Sequence, residues 1–269
     1  MQLNTMSKSF FSANTNKAWA EKFFLIYSPI WMIIMGLVML TGMHRTLGDV
    51  GFIILGIIVS GPFIIVPAII SPENQQSPWY QTYWFKANLY IASFSFFGNY
   101  FGSEYFFDVL GMVYQFPNAT WTLDAALVGE GTQVVPVIMY LLTHAYFMTY
   151  HTSAMVVLRR LMHFNLPGRW AFFPVFVFVI GYCWAWLETK AMANPLMAES
   201  FYYEKMPVML AYGSAIYAIY FIASFPIFYF IDENVNKPWT ALQSLSASFS
   251  ASMLTFYGLD LAAHWIGAL

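Results

Sequence analysis

Seven apolar windows, each long enough to cross about 30 Å of hydrocarbon, leave this chain few ways to fold. They run roughly over 23–41, 50–70, 84–105, 136–158, 172–192, 208–230 and 242–268. In lipid every backbone polar group must be satisfied within the protein, so runs of this length read as helices. The expected fold class is all-α: a polytopic transmembrane helical bundle of about seven spans forming a single integral membrane domain. Only 9% of the residues are charged, against about 25% in soluble domains. A net charge of −2 gives no reason to expect a nucleic-acid partner, and a single cysteine, Cys183, excludes an intramolecular disulfide.

The first twenty residues are polar and lack a signal-peptide core, so targeting is expected to fall to the first span. Pro62 and Pro67 should bend the second span. The third carries Lys86, Asn88, Asn99 and Glu104, which places it inside the bundle, and 106–133 reads as a long extramembrane loop. With the amino terminus cytoplasmic, alternation puts eight cations on that side (Lys8, Lys17, Lys22, Lys86, Arg159, Arg160, Arg169 and Lys237), against Arg45, Lys190 and Lys205 opposite. The bias fits the positive-inside rule.

The fourth window holds the most chemistry. His144 and His151 are seven residues apart, and at about 100° per residue they return to nearly one line on a helix. Polar groups inside a bilayer normally face other helices or a cavity. Toward the far leaflet, Glu104, His144, Glu188 and Asp260 come from four different windows. Around them Asn99, Tyr105, Trp186 and Tyr217 supply hydrogen-bonding or π-faced side chains, a lining suited to a large, nearly apolar ligand. Plainer readings stand beside these. His151 suits a helix-to-helix hydrogen bond, Asp260 a solvated helix end, and Arg159 with Arg160 a topology anchor.

Ordered strings carry a resemblance: YWFKANLY (83–90), GNYF (98–101), YFFDVLG (105–111), LTH followed by YH (142–151), LRRLMH (158–163), WLETKAMAN (186–194), YAIYFIASFPIF (217–228) and LDL (259–261). Together they resemble the cycloeucalenol cycloisomerases, the cyclopropyl sterol isomerases of plants and other sterol makers. The chain departs from that pattern in the loop after Phe116-Pro117, in PLMAES (195–200), and at Glu104 and Val137, which bears on the exact substrate. The resemblance implies opening of a 9,19-cyclopropane ring, as in cycloeucalenol, to an 8-ene such as obtusifoliol. It also implies a sterol substrate, membrane lipid as surroundings, and either the endoplasmic reticulum or a bacterial inner membrane as location. It leaves the oligomeric state open.

Such a reaction delivers a proton to the bridging methylene, leaves a tertiary cation at carbon 9, and removes the proton on carbon 8. No redox change occurs, so no metal or other cofactor is expected. A carboxyl away from water can keep its proton at neutral pH, which makes Glu188 or Asp260 the candidate reservoir. Glu188 and His144 form the expected acid and base pair. His151 or Asn99 is expected to hold the sterol hydroxyl, with Tyr105 in the lining. Tyr150, Trp186, Tyr217 and Tyr220 face the cation with their rings. Five histidines without an HxxxH array argue against a di-iron oxygenase. The remaining rival is a sterol or lipid transporter using the same cavity without chemistry, with helices broken at Pro62, Pro67 and Pro226.

Overall fold

The structure, a computed structural model, describes residues 10–125, 129–163 and 168–266. Lys8 and the last two residues of the seventh window fall outside them. Helices run through all seven windows: α1 (Thr15–Leu40), α2 (Asp49–Ser60) with α3 (Pro62–Ile70), α4 (Tyr83–Phe97), α5 (Ser103–Leu110), α6 (Val137–Met162), α7 (Arg169–Met192), α8 (Met206–Phe230) and α9 (Ala241–Ile266). Three of these, α1, α7 and α8, are long and apolar enough to cross a membrane alone. The α2–α3 pair, bent by 46° at Gly61, makes a fourth if it counts as one span. By contrast α4 has only 15 residues, and α6 and α9 carry many polar side chains along their lengths.

Prolines behave unequally. Pro62 sits at the first position of α3, where its missing N–H costs nothing, and the bend falls there. The expected breaks at Pro67 and Pro226 are absent: both residues lie inside continuous helices, α3 and α8.

The third window is not one helix. After Phe97 the chain widens into a π-turn over Gly98–Gly102 and then resumes as α5. The expected loop from 106 onward is therefore helical as far as Leu110. Gly111 ends α5 in the left-handed region, at φ 65°, with its N–H on the Phe106 carbonyl. A side chain there would strike the Lys205 backbone nitrogen at 2.7 Å, so glycine permits the next turn. That turn opens β1 (Met112–Tyr114), which pairs antiparallel with β2 (Phe201–Tyr203), Val113 opposite Tyr202.

Ion pairs show which helix ends lie together. Arg159 near the end of α6 binds Glu21 of α1 at 2.7 Å and Glu233, just beyond α8, at 2.9 Å. Lys17 of α1 also reaches Glu233, at 2.9 Å, and Lys86 of α4 pairs with Asp232. Lys17, Lys86 and Arg159 are thus buried members of an ionic lattice and not free surface cations. At the opposite end Arg45 pairs with Glu199 at 2.7 Å, and Asp49 accepts from the Thr120 and Trp121 backbones. The helices therefore alternate in direction between two polar ends. The apolar core between them is unusually aromatic, with Phe24, Phe63, Phe94, Phe221, Phe225 and Phe228 all enclosed.

Candidate active site

A cavity opens where α4 to α8 converge on the end that carries the small sheet. Gly98 and Asn99 of the π-turn, Ser103 of α5, Thr143 and Tyr146 of α6, Glu188 of α7, and Tyr217 with Tyr220 of α8 line it. Met112 and Tyr114 of β1 and Phe201 of β2 close that end. The non-local strand pairing is thus what roofs the cavity.

Several polar wall residues are held by specific contacts. Asn99 donates to the Thr143 hydroxyl at 2.7 Å and to the Ser95 carbonyl at 2.9 Å. The hydroxyls of Tyr203 and Tyr217 meet at 2.8 Å. Tyr220 lies against the π-turn, its ring carbon 3.1 Å from where a side chain on Gly98 would begin. It also stacks on Phe147, with ring centres 6.0 Å apart.

Glu188 differs from all of these. Its Oε2 is enclosed and has no hydrogen-bond partner, and it forms no ion pair among the described residues. A buried polar atom left unmatched in this way costs free energy and calls for an explanation. Its backbone is nonetheless well fixed. Thr189, the next residue, bonds back to the Ala185 carbonyl at 2.8 Å and accepts from Ser214 of α8 at 3.2 Å. Gly181 brings α7 and α8 together, leaving 3.2 Å between a notional side chain there and Phe221. Around the carboxyl, Tyr114, Tyr146, Tyr150, Tyr203, Tyr217 and Tyr220 all lie within electrostatic reach. A lone carboxyl with several tyrosines nearby suits proton delivery to a hydrocarbon and shelter for the cation that results.

Compared with known proteins, the chain is 34% identical over 265 residues to cycloeucalenol cycloisomerase of Arabidopsis thaliana, covering 95% of this chain and 89% of that one. The chain belongs to the cycloeucalenol cycloisomerase family. No family model matches it, and no solved structure does.

Within this family member, Glu188, Asn99, Tyr217 and Tyr220 gather in the cavity. Tyr150 lines an adjoining groove, with Trp184 4.9 Å from its ring. The other residues singled out from the sequence lie elsewhere. His144 is buried against α4, its Nε2 2.9 Å from Asn88 Oδ1. The Asn88 amide nitrogen is already used on the Phe63 and Trp84 carbonyls, so the oxygen faces the ring and Nε2 donates. His151 donates from Nδ1 to the Phe147 carbonyl at 2.7 Å and accepts from the Ser224 hydroxyl at 2.6 Å. Tyr90 sits 2.9 Å from that same hydroxyl. Each imidazole makes one helix-to-helix bond, His144 to Asn88 of α4 and His151 to Ser224 of α8, and neither lines the cavity.

Asp260 accepts from Tyr105 at 3.2 Å on the outside of α9, where its side chain is 48% exposed. Trp186 points outward beneath Lys190, at 5.9 Å. The acid and base pair expected of Glu188 and His144 is therefore not assembled. Sequence reasoning passed over Tyr114, Tyr146 and Tyr203. On α6 the cavity face runs through Met139, Thr143, Tyr146 and Tyr150, at the spacing of one helical face. That face lies about 100° around the helix from the histidine stripe.

Proposed function

We propose that this protein is a membrane-embedded sterol isomerase. It opens the 9,19-cyclopropane ring of a cyclopropyl sterol of the cycloeucalenol type, giving an 8-ene of the obtusifoliol type. The observation that carries this reading is the 34% identity, sustained over 95% of the chain, to a protein named for that reaction. The seven-window helix pattern supports a bundle of seven crossings with its amino end cytoplasmic, and the eight-to-three distribution of cations supports that orientation.

In this reading Glu188 enters the reaction as the neutral acid. It gives its proton to carbon 19, the bridging methylene. The bond from carbon 9 to carbon 19 supplies the electron pair and breaks. Carbon 19 becomes the angular methyl on carbon 10, and carbon 9 carries the positive charge. The electrons of the carbon 8–hydrogen bond then form the 8,9 double bond, and that proton passes to the Glu188 carboxylate. One proton is given and one recovered, so a single carboxyl closes the cycle and no step passes through His144. Ring faces of Tyr146, Tyr217 and Tyr220 stabilise the cation, each contributing about 2 kcal/mol when desolvated. Asn99 with Thr143, and Tyr203 with Tyr217, offer the polar contacts that a sterol hydroxyl needs.

The test is to incubate membranes containing the protein with a 9,19-cyclopropyl sterol and follow the product by mass spectrometry and proton NMR. The expected product has unchanged mass, no cyclopropane signals and a new 8-ene. A protein that only binds or carries sterols returns the cyclopropane intact, which would overturn the proposal.

A further inference from the structure

The position of Glu188 between two compartments bears on how the sterol lies. The cavity described above holds only about 80 Å³ of free space, well short of the ~300–1,000 Å³ typical of small-molecule sites. A second space of about 300 Å³ lies between α1 and α7, and Tyr146, Glu188 and Met192 line both. Its walls are richer in methionine than those of the cavity and carry fewer polar groups. Met32, Met35 and Met39 of α1, Met192 of α7 and Met197 line it together with Trp31 and Trp184. Methionines make adaptable apolar walls. Met32 and Leu187 at its rim are exposed on the outer, apolar face of the helices, so the groove opens sideways.

The reacting carbons of a cyclopropyl sterol sit in the middle of a fused ring system, with a hydroxyl at one end and a branched hydrocarbon chain at the other. A carboxyl that serves those carbons must stand mid-way along the ligand, with a polar compartment on one side and an apolar one on the other. Resting on the isomerase reading, we infer that the methionine-lined groove between α1 and α7 is the subsite for the sterol's hydrocarbon side chain, while the hydroxyl end occupies the cavity. A larger groove of about 450 Å³ lies between α4 and α9, but Glu188 does not line it. A ring system placed there has its reacting carbons away from the acid.

Gly36 supplies the test. It lines the groove, and a Cβ built on it meets nothing within 4 Å, so a side chain can start there in open space. Full-length protein in lipid nanodiscs is assayed with cyclopropyl sterols graded in side-chain length from full to absent. Gly36→Phe should lower kcat/KM for the full-length sterol at least tenfold, with the penalty shrinking as the chain shortens. Gly36→Ala, which adds one methyl group, should show a smaller penalty with the same dependence on chain length, and melting curves establish that both variants fold. A Gly36→Phe penalty independent of chain length, or no penalty, overturns the assignment. So does a chain-length-dependent penalty from Ser252→Phe in the α4–α9 groove. Failure of the wild type to isomerise the full-length sterol instead removes the isomerase reading, which is a separate result.

Discussion

At the scale of single residues, the proposed chemistry rests on the contrast between Glu188 and His144. Glu188 keeps a carboxylate oxygen without a partner at the wall of a cavity, whereas His144 Nε2 is committed to Asn88 Oδ1, a bond that joins α6 to α4. Glu188→Gln preserves shape and removes the transferable proton. It should lower kcat by about 10²–10⁴-fold, the usual contribution of a positioned acid or base, and shift KM only a few-fold in a steady-state isomerase assay. His144→Gln should do the reverse, retaining kcat while destabilising the fold by about 1–2 kcal/mol through the lost buried bond, read by thermal unfolding. Equal losses of kcat in the two variants would restore the imidazole to the reaction. Residue type drew notice to Glu188 in the sequence, because an acid on an apolar helix is rare, and the structure places it at a cavity wall. The histidines drew notice for the same reason, yet nothing in a periodicity says whether an inward face meets a helix or a void. The tyrosines of the true cavity face were hidden among many others that belong to interfaces and packing.

At the scale of elements, the apolar windows located the long helices to within about a turn, except that α1 begins eight residues before its window. The α6 helix runs one turn past its window because Arg159 is enclosed by Glu21 and Glu233, a pairing between distant residues that no local pattern announces. The β1–β2 ladder was illegible for the same reason: three residues pair with three others about ninety positions away. The π-turn was equally silent, although its glycines have a clear use. A methyl group on Gly102 would lie 2.1 Å from the Tyr220 hydroxyl but 3.3 Å from the ring carbon bearing it. Gly102→Ala should therefore push Tyr220 out of register and reduce kcat/KM by roughly tenfold, in keeping with small misplacements at reacting centres. Removing the hydroxyl relieves the clash, so Gly102→Ala combined with Tyr220→Phe should recover most of that loss relative to Tyr220→Phe alone. A double variant no better than the single glycine change would mean that the π-turn matters for some reason other than seating Tyr220.

At the scale of the whole molecule, the ionic lattice at the end remote from the cavity ties α1, α4, α6 and the α8–α9 turn into one body. Lys17, Lys86 and Arg159 are balanced by Glu21, Asp232 and Glu233. Arg159→Met leaves Glu21 and part of Glu233 buried without their main partner, and should cost about 3–5 kcal/mol, seen as a sharp drop in melting temperature. Glu73 stands beside this balanced set as a further acid. It accepts from the Tyr83 backbone at 2.9 Å, yet burial outweighs that bond and the attraction of Lys86, with Asp232 repelling, so its carboxyl is pushed up to about 7. For Glu233 burial is overcome by the hydrogen bonds and charges of Arg159 and Lys17, which hold it at about 2. The two acids therefore act in separate pH windows. Between its ordinary value of 4.5 and about 7, Glu73 binds more protons in the folded state than in the unfolded one. Stability consequently falls as pH rises through that window and is level above it. The Glu233 contribution is complete above 4.5 and is lost only as pH drops toward 2, so it adds no slope in the Glu73 window. Melting temperatures measured in lipid nanodiscs from pH 5 to pH 8 should fall for the wild type and fall less for Glu73→Gln, whose amide oxygen can still accept from Tyr83. The variant should be the more stable of the two at pH 8. Parallel curves for the two proteins would show that Glu73 is already ionised at pH 5 and that the lattice accommodates its charge.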